Sequence, residues 1–193
     1  MQATLVLAST SPYRAQLLTR LGLPFETASP EVDERAHPGE TPEALVTRLA
    51  QAKAEAVAPA HPDSLIIGSD QVAVIDDEIL GKPGSHDKAL EQLRRAAGRS
   101  VTFHTGLCLL DSRSGRHQVL CEPFRVHFRE LSDEQLRRYL ERERPYDCAG
   151  SFKSEGLGIT LFRRLEGDDP NALVGLPLIR LVELLGNVGV ELP

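Results

Sequence analysis

The sequence predicts a single α/β domain. Along the chain, strand-length apolar runs alternate with helix-start signals, in which a Ser or Thr cap precedes the first helical residue. A length of 193 residues suits one hydrophobic core, because domains of about 100 to 200 residues are the most common. No internal repeat, low-complexity tract or linker divides the chain. We therefore expect one domain over residues 1–193.

Composition and charge argue against several classes of function. The formal net charge of -6 disfavours binding to nucleic acid or to an anionic membrane, because both require a basic surface. No apolar run approaches the roughly 20 residues of a membrane span, and the N-terminus lacks a basic leader. Cys108, Cys121 and Cys148 are widely spaced, which indicates neither a disulfide framework nor a zinc site. We expect a cytoplasmic protein with three buried thiols.

The first strand and helix place polar groups together. A strand over residues 4–9 leads into a helix with Ser11 as its cap and Pro12 at its first position. Arg14 lies in the first turn, where a cation is unfavourable unless an anion binds beside it. Together with the hydroxyl of Ser9, this predicts a phosphate site, although ordinary capping is the alternative.

A second strand and helix follow. The strand is expected over residues 25–29, and an acidic loop that carries Glu34 comes after it; such loops are usually solvated. Thr41 and Pro42 repeat the capping signal and begin a helix that runs to about residue 57.

Lys53 lies on the apolar side of this second helix. It follows Val46 by seven residues, nearly two turns, so its side chain starts among apolar neighbours. A lysine in such a place usually extends its ammonium group into solvent, and both interpretations stay open. The predicted buried stripe consists of Leu45, Val46, Leu49, Ala52 and Ala56.

The chain is organised around residues 66–83. An apolar run breaks at Gly68 and Ser69, delivers Asp70 and resumes at Val72. Burying an unpaired carboxylate costs several kcal/mol, so Asp70 should face a cation, a metal or a cleft; the alternative is a simple turn residue. Lys82 follows in a stiff frame between a glycine and a proline.

The rest of the chain supplies further elements and few chemical motifs. Gly156 and Gly158 precede a predicted strand, which indicates backbone close to a ligand or to another strand. No serine-hydrolase, P-loop, Rossmann or histidine-zinc pattern is present. The elements predicted here are a helix over 85–98, a hairpin of strands over 101–110 and 118–129, a helix from Ser132 to about 143, and a helix over 178–185.

Six stretches occur together in a specific order: LASTSPYR, the Val32–Glu34 loop, Lys53, GSDQV, ILGKP and AGSFKSEGLGITLFRRLEGDDPNALVGLPL. From about Leu5 to the last helix, the chain resembles the Maf family of nucleoside triphosphate pyrophosphatases. The resemblance implies an α/β fold like that of inosine triphosphatases, a mixed elongated sheet flanked by helices, with two lobes around a central cleft. It also implies a homodimer that cleaves the bond between the α- and β-phosphates of a nucleotide with a divalent cation, Mg²⁺, Mn²⁺ or Co²⁺.

The family pattern assigns roles to positions of this chain. It places Ser9 and Arg14 at the phosphates, and Glu34, Lys53, Asp70 and Lys82 around the reacting centre. The carboxylates of Glu34 and Asp70 suit a magnesium ion, which prefers oxygen ligands. Asp70 is expected to act as general base, although the residues alone leave the alternative that it holds the metal.

Three further positions concern the base of the nucleotide. Family members that prefer dTTP and UTP carry Arg, Thr and Gln where this chain has Tyr13, Gln71 and Glu155, and the present trio resembles the group that prefers 7-methyl-GTP. Methylation makes the guanine ring cationic, so Tyr13 can stack on it while Glu155 accepts hydrogen bonds from its edge. The alternatives are a dTTP or UTP preference, or a nucleotide-binding regulator of septation without turnover.

Overall fold

The computed structural model describes residues 4–193 as a mixed sheet flanked by helices. This confirms the predicted fold class. The strands are β1 (Thr4–Ala8), β2 (Phe25–Ala28), β3 (Ser64–Ile75), β4 (Glu78–Leu80), β5 (Ser100–Asp111), β6 (His117–Phe128) and β7 (Phe162–Glu166). The helices are α1 (Pro12–Thr19), α2 (Pro42–Val57), α3 (His86–Ala96), α4 (Asp133–Glu143), α5 (Pro170–Val174) and α6 (Leu178–Asn187).

The described strands form a 7-stranded sheet in the order β2-β1-β3-β5-β6-β7, and β4 pairs with β3. β1 is parallel to both of its neighbours, with Leu7 opposite Thr27 on one side and Ile67 on the other. The β3–β4 and β6–β7 pairs are antiparallel. The sheet is therefore mixed, as expected. The short strand β4 was not predicted; its first residue, Glu78, was assigned to a turn.

Hydroxyl caps begin four of the helices at the predicted positions. In each case the cap oxygen accepts a hydrogen bond from a backbone N–H in the first turn, which satisfies a donor that has no partner within the helix. At α4 the capping box is complete, because the Gln135 side chain also accepts from the Ser132 N–H. The caps are Ser11, Thr41, Ser85 and Ser132.

The chain divides into two compact units. The first comprises residues 4–71, 105–122 and 169–193, and the second comprises 72–104 and 123–168. One domain over residues 1–193 stays a prediction. None of the helices within residues 4–193 has the length and apolar character needed to cross a membrane.

The first unit has an apolar cluster on each face of its part of the sheet. Along β1, Leu5 and Leu7 enter the cluster with α1 and α6, whereas Val6 and Ala8 enter the cluster with α2. Because strand side chains alternate between faces, burial of both faces explains why the run is continuously apolar.

Of the three free cysteines, Cys108 is buried, whereas Cys121 and Cys148 are only half-buried. The expectation of three buried thiols is therefore wrong for two of them.

Helix α2 lies directly against the backbone of the sheet. A Cβ atom added at Gly68 would lie 2.0 Å from the carbonyl oxygen of Ala50, and one at Gly106 would lie 2.1 Å from that of Val46. This close approach turns the small residues Ala50 and Ala54 inward. The predicted stripe is therefore wrong at two positions, because Ala52 is half-buried and Ala56 is exposed.

In the second unit, four phenylalanine rings form a cluster with edge-to-face contacts, and the shortest centroid distance is 4.9 Å, between Phe152 and Phe162. The backbone near Gly158 packs on the protein itself: a Cβ there would lie 2.2 Å from the Lys153 carbonyl oxygen. At Gly156 the neighbour is the Glu143 carboxylate, which accepts a hydrogen bond from the Leu157 N–H. The two glycines therefore allow close packing within their own unit.

Candidate active site

A lysine between two carboxylates forms the centre of the candidate site, which lies in the first unit. Lys53 Nζ lies 2.7 Å from Asp70 Oδ1 and 2.7 Å from Glu34 Oε1. The side chains of Lys53 and Asp70 are 8% and 12% exposed, whereas that of Glu34 is 62% exposed. Lys53 therefore points inward, and the outward alternative is excluded. The ammonium group also compensates the buried charge of Asp70.

Helix and strand periodicity explain why Lys53 and Asp70 meet. Asp70 lies two residues after Gly68, so both face α2, and Lys53 lies about one helical turn after Ala50. The contact between Gly68 and Ala50 therefore brings Asp70 of β3 next to Lys53 of α2. β3 runs through Gly68 and Ser69, and Asp70 lies within this continuous strand, so the alternative that Asp70 is a simple turn residue is wrong.

The opposite face of β3 contacts α5. Ser69 Oγ, which is buried, lies 2.9 Å from the carbonyl oxygens of both Gly106 and Gly175. Gln71 Nε2 donates to the Ala172 carbonyl at 2.7 Å and to Thr105 Oγ1 at 3.0 Å. The amide nitrogen of Gln71 is therefore engaged with the protein.

Arg14 is oriented by a backbone carbonyl. Its Nε donates a hydrogen bond to the Gly175 carbonyl at 2.8 Å. Gly175 adopts a φ of 116°, and a Cβ there would lie 3.2 Å from Arg14 Nε. Burial lowers the pKa of the Arg14 guanidinium from its usual value, while the charges of Asp70 and Glu34 oppose this shift. The anchor at Nε leaves the outer edge of the guanidinium as a fork of N–H donors.

The start of α1 is ordered by its own hydroxyls. The Ser11 N–H donates to Ser9 Oγ at 3.1 Å, and Ser11 Oγ accepts from the Arg14 N–H at 3.4 Å. Ser9 is buried, and Tyr13 in the first turn is half-buried. Capping by Ser11 is therefore confirmed, and phosphate binding by Ser9 and Arg14 stays a prediction.

A buried aspartate that the sequence did not single out organises α5. Asp169 Oδ1 accepts from the backbone N–H and the side-chain amide of Asn171, and Asp169 Oδ2 accepts from the Ile179 N–H at 2.7 Å. Its side chain is fully buried. Asn171 in turn accepts from Arg20 at 2.5 Å. Asp169 thus fixes the helix whose end anchors Arg14. The available signal was an Asp directly before a Pro, which is a helix-start pattern.

Two predicted site residues belong to the second unit. Lys82 is exposed, and no carboxylate within that unit forms an ion pair with it. Glu155 is also exposed, and its carboxylate accepts a hydrogen bond from Ser154 Oγ at 3.3 Å. Their expected roles toward a nucleotide stay predictions.

The oxygen ligands of the first unit suit a hard divalent cation. Glu34 Oε1 and Asp70 Oδ1 contact the same ammonium group, so they lie no more than twice 2.7 Å apart. Within residues 4–193, no group of three or more His, Cys, Asp or Glu side chains could hold a metal. Magnesium commonly binds one or two carboxylates and takes its remaining ligands from water and phosphate, so this pair fits it.

Comparison with known proteins gives one consistent family. Residues 4–188 match the family described as "Maf-like protein". A Pseudomonas aeruginosa protein named 7-methyl-GTP pyrophosphatase is 62% identical over 189 residues, 98% of this chain and 98% of that protein. Proteins of the same name from Nitrosococcus oceani and Vibrio cholerae are each 60% identical, over 96% and 97% of this chain and 94% and 96% of their own lengths. The chain therefore belongs to the Maf family.

Proposed function

We propose that this chain is a nucleoside triphosphate pyrophosphatase that hydrolyses the α–β phosphate bond of 7-methyl-GTP. The products are 7-methyl-GMP and diphosphate, so the reaction removes a modified nucleotide from the pool. The observation that carries the proposal is the near-complete coverage of relatives with this name at 57–62% identity. Glu34, Lys53 and Asp70 supply two carboxylates and an ammonium group, which suit the binding of a divalent cation and of phosphate.

The positive groups bind and orient the phosphates. Arg14 presents its outer N–H donors as a fork, which matches two oxygens of one phosphate. Lys53 offers an ammonium group beside Glu34 and Asp70, the two carboxylates whose charges oppose the lowering of the Arg14 pKa by burial. Within the first unit these two cations balance Glu34 and Asp70, so the cluster is close to neutral before the substrate enters.

Asp70 accepts the proton of the attacking water in this proposal. Its Oδ1 is held by Lys53, and no donor of the first unit bonds its Oδ2. The Asp70 side chain is 12% exposed, so part of the carboxylate is accessible to solvent. A carboxylate that is held by a cation and is partly accessible to water can act as general base. Replacement by asparagine should abolish this role.

A divalent cation, Mg²⁺, Mn²⁺ or Co²⁺, belongs to the proposal. Glu34 and Asp70 would hold it, and the cation would neutralise phosphate charge and polarise a phosphoryl oxygen. We also place the protein in the cytoplasm as a homodimer, the state that the family resemblance implies.

The choice of base is tested by a panel of nucleotides. The panel contains 7-methyl-GTP, GTP, dTTP and UTP, each with Mg²⁺, Mn²⁺ or Co²⁺, and the readout is diphosphate release. We expect the highest kcat/KM for 7-methyl-GTP. A preference for dTTP or UTP would contradict the proposed substrate, and binding of triphosphate without turnover would indicate a regulator instead.

The proposed specificity residues are tested on the same panel. Exchange of Tyr13, Gln71 and Glu155 for Arg, Thr and Gln should lower the ratio of kcat/KM for 7-methyl-GTP to that for UTP. An unaltered ratio would show that other residues recognise the base.

A further inference from the structure

Glu34 reaches Lys53 from a segment without regular structure. Residues 29–41 contain no helix or strand, and the Glu34 side chain is 62% exposed. Asp70, in contrast, is held within β3 and packed under α2. Because an exposed carboxylate on an irregular loop has little packing to restrain it, other contacts must restrain the loop.

Arg48 of α2 makes those contacts. Its Nε donates to Glu40 Oε1 at 2.6 Å, and its Nη2 donates to Glu40 Oε2 at 2.8 Å, which is a two-point pair. The same Nη2 lies 3.0 Å from the carbonyl oxygen of Arg35, the residue directly after Glu34. One arginine of a rigid helix therefore holds the loop at two points.

Glu40, near the end of the loop, bonds both to Arg48 and to the backbone of the loop itself. Its Oε2 also accepts the His37 N–H at 2.9 Å, so residues 35–40 form a compact turn around the Arg48 guanidinium. The side chains of Glu40 and Arg48 are 9% and 29% exposed, which limits screening of their ion pair by solvent. The hydrogen bond from Arg48 lowers the pKa of Glu40 to about 2, so the pair is charged at neutral pH.

We propose that Arg48 is a positioning residue for the reaction: by fixing the Arg35 carbonyl and Glu40, it keeps the Glu34 carboxylate at Lys53. The inference rests on the proposed function, in which Glu34 takes part in catalysis. The Nε and Nη2 atoms of Arg48 are engaged by Glu40 and by the Arg35 carbonyl, so in this proposal Arg48 acts on Glu34 through the loop.

A second ion pair in the same loop provides a matched control. Asp33 and Arg35 flank Glu34 in sequence, and their side chains form an ion pair with Arg35 Nη2 and Asp33 Oδ2 2.5 Å apart. Their side chains are 87% and 60% exposed, and both partners lie on the loop. This pair does not connect the loop to α2, and exposed pairs of this kind contribute little. Loss of Arg35 therefore removes a loop charge without removing the tether.

The test combines Arg48→Met and Arg35→Met with Glu34→Gln in double-mutant cycles, measured as diphosphate release from 7-methyl-GTP. Arg48→Met should lower kcat/KM by about tenfold or more, whereas Arg35→Met should change it by less than about twofold. In the Glu34→Gln background, Arg48→Met should have little further effect, because the group that it positions is already lost.

Amide hydrogen exchange provides a readout that does not depend on activity. The His37 amide should exchange faster in Arg48→Met than in Arg35→Met, while the amides of α2 keep their protection. If Arg48→Met does not fold, Glu40→Gln replaces it, since this variant weakens the same pair and retains an acceptor for the His37 N–H. The same expectations apply to that variant.

The outcomes separate the two proposals. If Glu34→Gln leaves turnover unchanged, the proposed part of Glu34 in the reaction fails. If Glu34→Gln lowers turnover but Arg48→Met lowers it by the same factor in both backgrounds, the proposed function stands and the positioning inference is overturned. Equal effects of Arg48→Met and Arg35→Met would overturn the inference as well.

Discussion

Lys53 and Asp70 form a buried ion pair between the second helix and the third strand, with Nζ and Oδ1 2.7 Å apart. The pair is asymmetric, because Lys53 also contacts Glu34 Oε1 at 2.7 Å, whereas Asp70 has only Lys53 as a bonded cation within the first unit. Loss of Lys53 and loss of Asp70 therefore have different consequences. Without Asp70, Lys53 still contacts Glu34, whereas without Lys53 the Asp70 carboxylate has no other bonded cation within the first unit.

The first prediction concerns folding stability. Lys53→Met leaves Asp70 buried without its bonded partner and should lower the free energy of unfolding by about 3 kcal/mol. Asp70→Asn should cost less, because Glu34 still compensates Lys53. The double variant Lys53→Met/Asp70→Asn should recover part of the loss. Urea unfolding at pH 7 measures all three, and equal costs for the two single variants would contradict the asymmetry.

The second prediction concerns the anchor of Arg14. Gly175→Ala introduces a Cβ at a φ of 116° and 3.2 Å from Arg14 Nε, so it should both strain the backbone and displace the guanidinium. We expect kcat/KM for 7-methyl-GTP to fall by about tenfold or more, since small displacements of a positioning group are costly.

Gly22→Ala is the matched control for this prediction. Gly22 also has a positive φ, 68°, but nothing lies within 4 Å of its added Cβ. The control should lose about 1 kcal/mol of stability with unchanged kcat/KM. A loss of activity in Gly22→Ala as large as that in Gly175→Ala would show that backbone strain, rather than the displacement of Arg14, is responsible.

The third prediction concerns the buried acceptor at the start of α5. Asp169→Ala leaves the N–H donors of Asn171 and Ile179 without their acceptor and should lower the free energy of unfolding by about 3 kcal/mol. Asp168, its neighbour in sequence, is exposed, so Asp168→Ala should change stability by less than about 0.5 kcal/mol. Thermal or urea unfolding of the two variants measures this difference, and similar losses would contradict the assigned role of Asp169.

The fourth prediction concerns the thiols and pH. Burial raises the pKa of Cys108 to about 12 and that of Cys121 to about 11, from a usual value of 9.0. Cys148 is likewise raised, to about 12. Because the thiolate is the reactive species, a disulfide reagent at pH 8 should label the native protein much more slowly than the unfolded protein. Equal rates in the two states would contradict these shifts.

The raised pKa values of the thiols also predict how folding stability changes with pH. A pKa raised in the folded state favours the folded protein below pH 9, and this contribution is lost as pH rises from about 9 towards 12. Unfolding midpoints should therefore fall across that interval. Substitution of Cys108 by Ala should make the decline shallower.

Capping residues in the sequence correctly predicted where four of the helices begin. Each capped helix begins where its Ser or Thr predicted, because a cap hydroxyl bonds within its own first turn and needs no distant partner. The inward placement of Lys53 could not be decided in this way. It depends on the contact of Ala50 with Gly68, which brings two distant segments together.

Contacts between segments that are distant in sequence also explain which features the sequence did not predict. The short helix α5 has little apolar periodicity, and it is held by Asp169 and by hydrogen bonds that Gln71 and Thr105 donate to its carbonyls. The role of Gly175 depends on a backbone carbonyl facing Arg14, which no residue pattern encodes. The roles of Lys82 and Glu155 stay predictions for mutagenesis to test.

The most direct measurement is diphosphate release from 7-methyl-GTP by the wild-type chain and by Asp70→Asn, each with Mg²⁺. We expect turnover by the wild type and a fall of at least about 100-fold in kcat for the variant, with the fold retained as judged by circular dichroism. Turnover by Asp70→Asn at the wild-type rate would show that the carboxylate paired with Lys53 does not accept the proton from water.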